Sequence, residues 1–518
     1  VNGDDYWLIV DKEIPEGERL PIVSDEGRIN APNPDGTEDV WMPGGNSSDN
    51  ADCGISVADV NVTNAVFCGV VLASFAEHAV SMTSVGGSLR FERCRLVAGN
   101  TKRSGFFSQD NTEGEATLKV TDGQVDLVDC LFDGNFYASH IASAARAVTN
   151  TFMRCRFALN YAHRSSAMMW TAGSAAVVLD ACTFASNVSD IAYGNSAPTL
   201  LTRSSQPLVA RDCLFLGNRC LTREQYSPFA IMNCDNGGAS TFERCRFIGN
   251  VGRQRNVYDD VATVFYGAGK VLVRDCYFKD NVGINSNNRL GTVLDPRGGS
   301  WTFLNCTFED NESSPAAAAS GGLFYVKSGA KVALVNCTVC GSHLTGEGTN
   351  SELCVASGAK VSIVNSAFVN EAADYVPFSA DGIVPDIANS SIVGFDAEAV
   401  PVAGNGYRYD VFAHNAQLAR KTVEGANGAW GRGVSDPALA KRGRAVWLKD
   451  GTVYFKDELA NPDKPWRSTL DRDSFAAFIP GLDLTADLVP DAFASPRKAA
   501  SYNIGPVDTK LGLVIFFQ

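Results

Sequence analysis

Between residues 60 and 395 the apolar residues come in short runs that alternate with polar ones and end on glycine or asparagine. Alternation with a period of two predicts half-buried β-strands, and turn residues at both ends of such runs are strand punctuation. Helical periodicity is scarce. The runs are copies of one another. Nine align without gaps on a cysteine: Cys94, Cys130, Cys155, Cys182, Cys213, Cys245, Cys276, Cys306 and Cys337. Phe91-Glu-Arg-Cys94-Arg-Leu96, Leu179-Asp-Ala-Cys182-Thr-Phe184 and Phe303-Leu-Asn-Cys306-Thr-Phe308 are typical. A tenth copy, Ile363-Val-Asn-Ser366-Ala-Phe368, has serine for cysteine, and weaker copies are expected around Ala65 and Ser390.

Successive cysteines lie 36, 25, 27, 31, 32, 31, 30 and 31 residues apart. Such variation excludes a strict helical-hairpin repeat and suits coils whose loops differ in length. Asparagine stands five residues after most cysteines (Asn135, Asn160, Asn187, Asn218, Asn250, Asn281, Asn311), and glycine recurs seven before at Gly87, Gly123, Gly238, Gly269 and Gly299. One such unit cannot bury its apolar face alone. Stacking units at about 4.8 Å lets each strand pair with its equivalents above and below, so like residues form columns. Cysteine and the phenylalanine two positions on share a parity and point inward, while the residue between them points out. The residue before the cysteine alternates in charge, Arg93, Asp129, Arg154 and later Asp212, Arg244, Asp275. Stacked coils would set these opposite charges side by side.

Outside the repeat, residues 1–50 are proline-rich and are expected to cap the first coil, whose open end would otherwise expose a sheet edge. Residues 396–518 read as a β-rich C-terminal region. Trp447–Tyr454 is expected to be a hairpin turning on Asp450-Gly451, and Leu511–Phe517 an apolar strand, packed locally or donated to another subunit. The formal charge of −14 argues against nucleic acid, which needs clustered Lys and Arg. No apolar run approaches a membrane span of about 18 residues. A start at Val1 fits an exported chain whose signal peptide has been removed.

The repeat resembles the right-handed parallel β-helix, pectate-lyase-like superfamily. Its short form, apolar-x-Asn/Asp-Cys-x-Phe-x-x-Asn, is most similar to bacterial surface β-helix repeats and polymorphic outer-membrane-type passenger proteins. Ser435-Asp-Pro437, then Asp491 to Arg497 and Tyr502-Asn503-Ile504-Gly505, are similar to the closing segment of exported bacterial β-helix proteins, with Asn503 where Asp is commoner. The resemblance implies an all-β fold: a right-handed parallel β-helix of about twelve coils over 51–395, between an N-terminal cap and a C-terminal domain. It implies an extracellular or cell-surface protein that self-associates or meets surface glycans.

The candidate chemistry is sparse. The nine in-register cysteines read as small buried hydrophobes, since stacked side chains hold their Cβ atoms near the coil spacing, beyond disulfide reach. The pairs Cys53/Cys68, Cys220/Cys234 and Cys340/Cys354 leave loop-closing disulfides open. There is no HExxH and no Gly-x-Ser-x-Gly. Of the motifs that β-helix hydrolases of the pectinase type carry, only an isolated Asp259-Asp260 occurs. Asp280 and Asp310, each four residues after its cysteine, should stack on adjacent coils, with Lys279, Arg289 and Glu309 nearby. Two carboxylates that close share a proton or bind a cation, and calcium is the metal such a pair would suit. The alternative is a solvated turn. The reading therefore favours a non-catalytic structural or adhesive surface protein with no cofactor, whose insertions at 101–122, 188–205 and 251–268 offer contact surfaces. A calcium-dependent polysaccharide lyase or a glycoside hydrolase is the alternative, and a trimeric glycan-binding spike a third class.

Overall fold

The computed structural model describes residues 53–393, apart from segments 58–64, 74–77, 84–85, 98–115, 136–138, 164–168, 192–198, 223–231, 235–237, 255–260, 286–289, 316–319, 336, 346–348, 352, 365, 370–377, 381–385 and 389–390; outside that stretch it describes 7–9, 31–32, 39–40, 447–449 and 452–454. The chain winds as a solenoid of short parallel strands. A typical coil runs Leu200–Ser204 and Leu208–Arg211 in a first sheet, Leu214–Leu216 in a second and Arg219–Thr222 in a third. Among the described residues the first sheet holds 25 strands, the second 12 and the third seven. Register is set by like-on-like pairing: Phe157 faces Phe184, Phe184 faces Phe215 and Phe215 faces Phe247.

Two single-residue bends shape each coil. The residue before the cysteine turns the chain from the first sheet into the second. In eight coils, from Arg93 and Asp129 to Asp275 and Asn305, it has a φ of 51–54°. Four residues after the cysteine the chain bends again into the third sheet, at Gly134, Leu159, Ser186, Gly217, Gly249, Asp280, Asp310 and Gly341. Left-handed backbone costs about 1–2 kcal/mol for most side chains, which explains the many Gly, Asp and Asn at these two positions.

The core consists of columns. Phe132, Phe157, Phe184, Phe215, Phe247, Phe278 and Phe308 stack ring on ring at 4.5–5.0 Å. The cysteine column lies beside them, and its thiols are more than fillers. Each donates a weak hydrogen bond to a carbonyl of the preceding coil, as Cys182 does to Phe152 at 3.2 Å and Cys306 to Val273 at 3.5 Å. Ser366 takes the same slot in the tenth copy, donating to Leu334 O at 3.3 Å. Burial pushes the Cys213, Cys276 and Cys337 thiols up. The asparagines are fully buried and form a ladder. Asn187 Nδ2 donates to Phe157 O and to Asn218 Oδ1, while its Oδ1 accepts from the backbone and side-chain nitrogens of Asn160.

The anticipated charge pairs form between neighbouring coils. Arg154 grips Asp129 with two bonds of 2.6 and 2.8 Å, and Arg244 grips Asp212 at 2.8 and 2.9 Å. Asp275 departs from the series, pairing with Arg274 at 3.0 Å and accepting from Asn305 at 2.8 Å.

Several expectations need correction. The weak copy placed on Ala65 is centred on Val70 instead: Phe67 faces Phe91, and Leu72 faces Leu96. Gly69, at φ 63°, supplies the left-handed bend that this register needs. The residue after the cysteine points outward as expected, and is exposed or half-buried from Arg95 to Arg246, but Tyr277, Thr307 and Thr338 in that column are buried. Cys68, Cys220 and Cys354 are buried, while the side chains of Cys53, Cys234 and Cys340, with which they could close loops, lie outside the described residues. The insertions expected at 101–122, 188–205 and 251–268 are partly strand, with Leu118–Val120, Val188–Ile191, Leu200–Ser204, Val251–Gln254 and Phe265–Gly267 inside the sheets. Tight spacing rules do not govern those stretches, so the sequence showed their length but not their pairing. The 447–454 hairpin is antiparallel in the expected register, with Trp447 opposite Tyr454. Arg289, Cys53, Cys234, Cys340, Leu511–Phe517 and the 435–505 resemblance lie wholly or in their side chains outside the described residues.

Candidate functional site

The variability in coil length is concentrated in one connection. From the bend before each cysteine to the third-sheet strand, successive coils match residue for residue. The connection leaving the third sheet is different. It spans 164–168 after His163, 192–198 after Ile191, 223–231 after Thr222, 255–260 after Gln254, 286–289 after Asn285 and 316–319 after Pro315. The unequal cysteine spacing thus arises chiefly between the third-sheet strand of one coil and the first-sheet strand that follows it.

Asp280 and Asp310 occupy the second bend of adjacent coils, just past the paired residues Lys279 and Glu309. Desolvation raises the Asp280 carboxyl above its ordinary range, Lys279 opposes this, and the Asp310 charge adds to it. Asp280 is therefore close enough to Asp310 for that charge to act on it. Glu309 is turned away from them: it is buried, accepts a short hydrogen bond from the Tyr277 hydroxyl and lies 3.6 Å from Lys279 Nζ. Calcium asks for six to eight oxygens. Among the described residues no third carboxylate, histidine or cysteine joins the pair to make a metal-holding group. The same bend carries glycine in neighbouring coils, so the backbone alone accounts for a residue tolerant of positive φ there.

A second cluster was not found by counting from the cysteines. On the outer face of the first sheet Tyr266 faces Asp295, with Tyr325 one coil further on. All three are buried. Lys327 Nζ lies 3.1 Å from Asp295 Oδ1 and 5.5 Å from the Tyr266 ring centre, and the exposed Arg297 guanidinium lies 4.7 Å from that ring. The group joins a buried carboxylate, two cations and aromatic rings, and cations over a ring face gain about 0.5–2 kcal/mol. It escaped notice because the bend inside the first sheet lengthens from 268–269 to 297–299 and then 327–330 in these coils. The three outer residues therefore stand at different distances from their cysteines. Aligning on Gly269, Gly299 and Gly329 would have shifted attention to that bend.

Among the described residues no helix is long and apolar enough to cross a membrane. No curated protein and no solved structure matches the chain. Residues 116–368 match the family model described as a right handed beta helix region. Joined to the stacked parallel sheets, that match makes the solenoid a right-handed parallel β-helix.

Proposed function

We propose that this protein is a non-catalytic, extracellular β-helix of the bacterial cell surface, whose rigid rod presents a row of connections for adhesion to surface glycans or for self-assembly. One observation carries the reading: coil lengths vary mainly in the connection that leaves the third sheet, while the rest of each coil is spent on stacking. A rigid scaffold with variable loops is the usual arrangement for recognition. Surface-glycan binding by the full chain is the test. Replacing 192–198, 223–231 and 255–260 by Gly-Ser segments of equal length should abolish binding and leave the melting temperature within a few degrees. Undiminished binding by the triple replacement would sink the proposal. Self-assembly is read by electron microscopy and size exclusion, where monomers alone would remove that branch.

A second reading, a polysaccharide lyase or glycoside hydrolase, draws support from the adjacent carboxylates Asp280 and Asp310 and from the Asp295–Lys327 pair beside Arg297. Calcium would serve the lyase version. A glycan panel with and without calcium, scored for unsaturated or reducing ends, decides it. Loss of product formation in the double variant Asp280→Ala, Asp310→Ala would place the chemistry at the bends.

A further inference from the structure

The bend inside the first sheet carries an unbalanced charge in the later coils. Lys270 pairs in register with Ser300, Ser300 with Lys331 and Lys331 with Lys360. The three lysines are exposed, and so is Arg297 at the same bend of the intervening coil. Earlier in the rod this column is uncharged: Ala239 faces Lys270, and Gln124 faces Ser88. Across 267–270, 295–300, 326–331 and 355–360 five cations stand against one acid, Asp295, in a chain whose formal charge is −14. Asp295 is buried and already engaged by Lys327 at 3.1 Å. Among the described residues Lys270, Lys331 and Lys360 make no ion pair. Lys331 and Lys360 stand directly opposite each other on paired strands, where like charges destabilise the sheet. The exposed side chains between the cations are small: Ala268, Gly299, Ser328, Gly329, Ser357 and Gly358.

We infer that this shelf binds an anionic glycan, a linear polysaccharide with carboxylate or sulfate on its sugars, lying along the axis of the rod. The inference rests on the reading of the protein as a binder of surface glycans, and adds the ligand's charge and its place of contact. Strand spacing of about 4.8 Å puts Lys270 and Lys360, three steps apart, roughly 14 Å from each other. A sugar in an extended glycan advances by a similar step, so charges recurring along the polymer meet cations recurring along the coils. Adjacent lysines can share one anion, which turns their repulsion into attachment. Arg297, held 4.7 Å from the Tyr266 ring centre, offers a planar fork that suits a carboxylate or sulfate. Small residues between the cations let a sugar chain approach the backbone, and Ser328 and Ser357 add hydroxyls. A single row of cations fits one polymer strand, whereas a nucleic-acid duplex or a bilayer calls for a broad basic face.

Retention of the full chain on immobilised dextran sulfate, polygalacturonate and uncharged dextran, measured against salt, tests this. The two polyanions should hold the protein and dextran should not, with retention falling as salt rises. Comparing the two separates sulfate from carboxylate recognition. The double variant Lys331→Ser, Lys360→Ser should bind about tenfold more weakly and with a shallower salt dependence, since fewer cations take part. Removing the same charge at the exposed Arg90 and Arg156 of early coils should change neither. Retention on neutral glycans alone, full retention by the lysine variant, equal loss in the arginine variant, or single-stranded DNA held as tightly as the polysaccharides would each overturn the inference and leave the surface-glycan reading standing. Failure to bind any glycan, charged or neutral, would overturn both.

Discussion

Single buried residues in this rod are repeated at each coil, so a defect in one is felt by two neighbours. Asn187 shows this. Replacing it with leucine strips acceptors from two nitrogens of Asn160 and donors from Phe157 O and Asn218 Oδ1. At about 1–3 kcal/mol for each stranded buried group, Asn187→Leu should cost at least about 3 kcal/mol, read by chemical denaturation. The thiols give a second residue-scale prediction: in the folded protein the nine ladder cysteines should resist alkylation, and all should react once denaturant is added. Asp275 gives a third. Burial lifts its carboxyl to about 7, against the partial opposition of Asn305 and Arg274. The folded state then holds a proton that the unfolded state releases near pH 4, so stability is greatest below that pH and falls as pH rises towards 7. The loss is at most about 4 kcal/mol. Asp275→Asn, which keeps an acceptor for Asn305, should flatten the unfolding midpoint between pH 4 and pH 7. An unchanged slope would show that the carboxyl is not the source.

At the scale of the element, the left-handed bends decide what each coil tolerates. Gly217 has φ 61°, and an added Cβ there would meet nothing within 4 Å. Any cost of substitution is therefore conformational. Gly217→Val should destabilise by about 1–2 kcal/mol, while Gly217→Asn, of the type that Asp280 and Asp310 already use in this column, should be nearly neutral. Thermal melts of the two variants separate them, and equal losses would mean that the bend is not what selects glycine. Between bends, each strand is held by the strands above and below, so a core truncation such as Phe184→Ala removes one ring from two stacks, at 4.6 and 5.0 Å. Such truncations cost about 3–5 kcal/mol.

The whole molecule is close to one-dimensional, and this makes its response to insertion depend on the corner. Six glycine-serine residues added within 192–198 should leave the melting temperature nearly unchanged, because loop lengthening costs little entropy. The same insertion between Gly134 and Asn135 should abolish cooperative folding, since it would displace a fully buried asparagine from its ladder. Circular dichroism melts of both variants provide the check. Tolerance at both points would be incompatible with a rod whose columns must stay in register.

Much of this was legible in the residues alone. The cysteine and phenylalanine columns, the asparagines beneath them, the Asp129–Arg154 and Asp212–Arg244 pairs and the 447–454 hairpin follow from spacing, because in a stacked coil equal sequence offset means equal position in space. Offsets failed where a bend changes length. The first copy therefore slipped from Val70 to Ala65, and Tyr266, Asp295 and Tyr325 passed unseen although they stack. Asp280 and Asp310 were correctly placed together, but only the tertiary structure turned Glu309 away from them towards Tyr277 and Lys279. The burial of Tyr277, Thr307 and Thr338 likewise needed coordinates: alternation tells which side chains leave the core, and only the tertiary structure decides whether they then meet water.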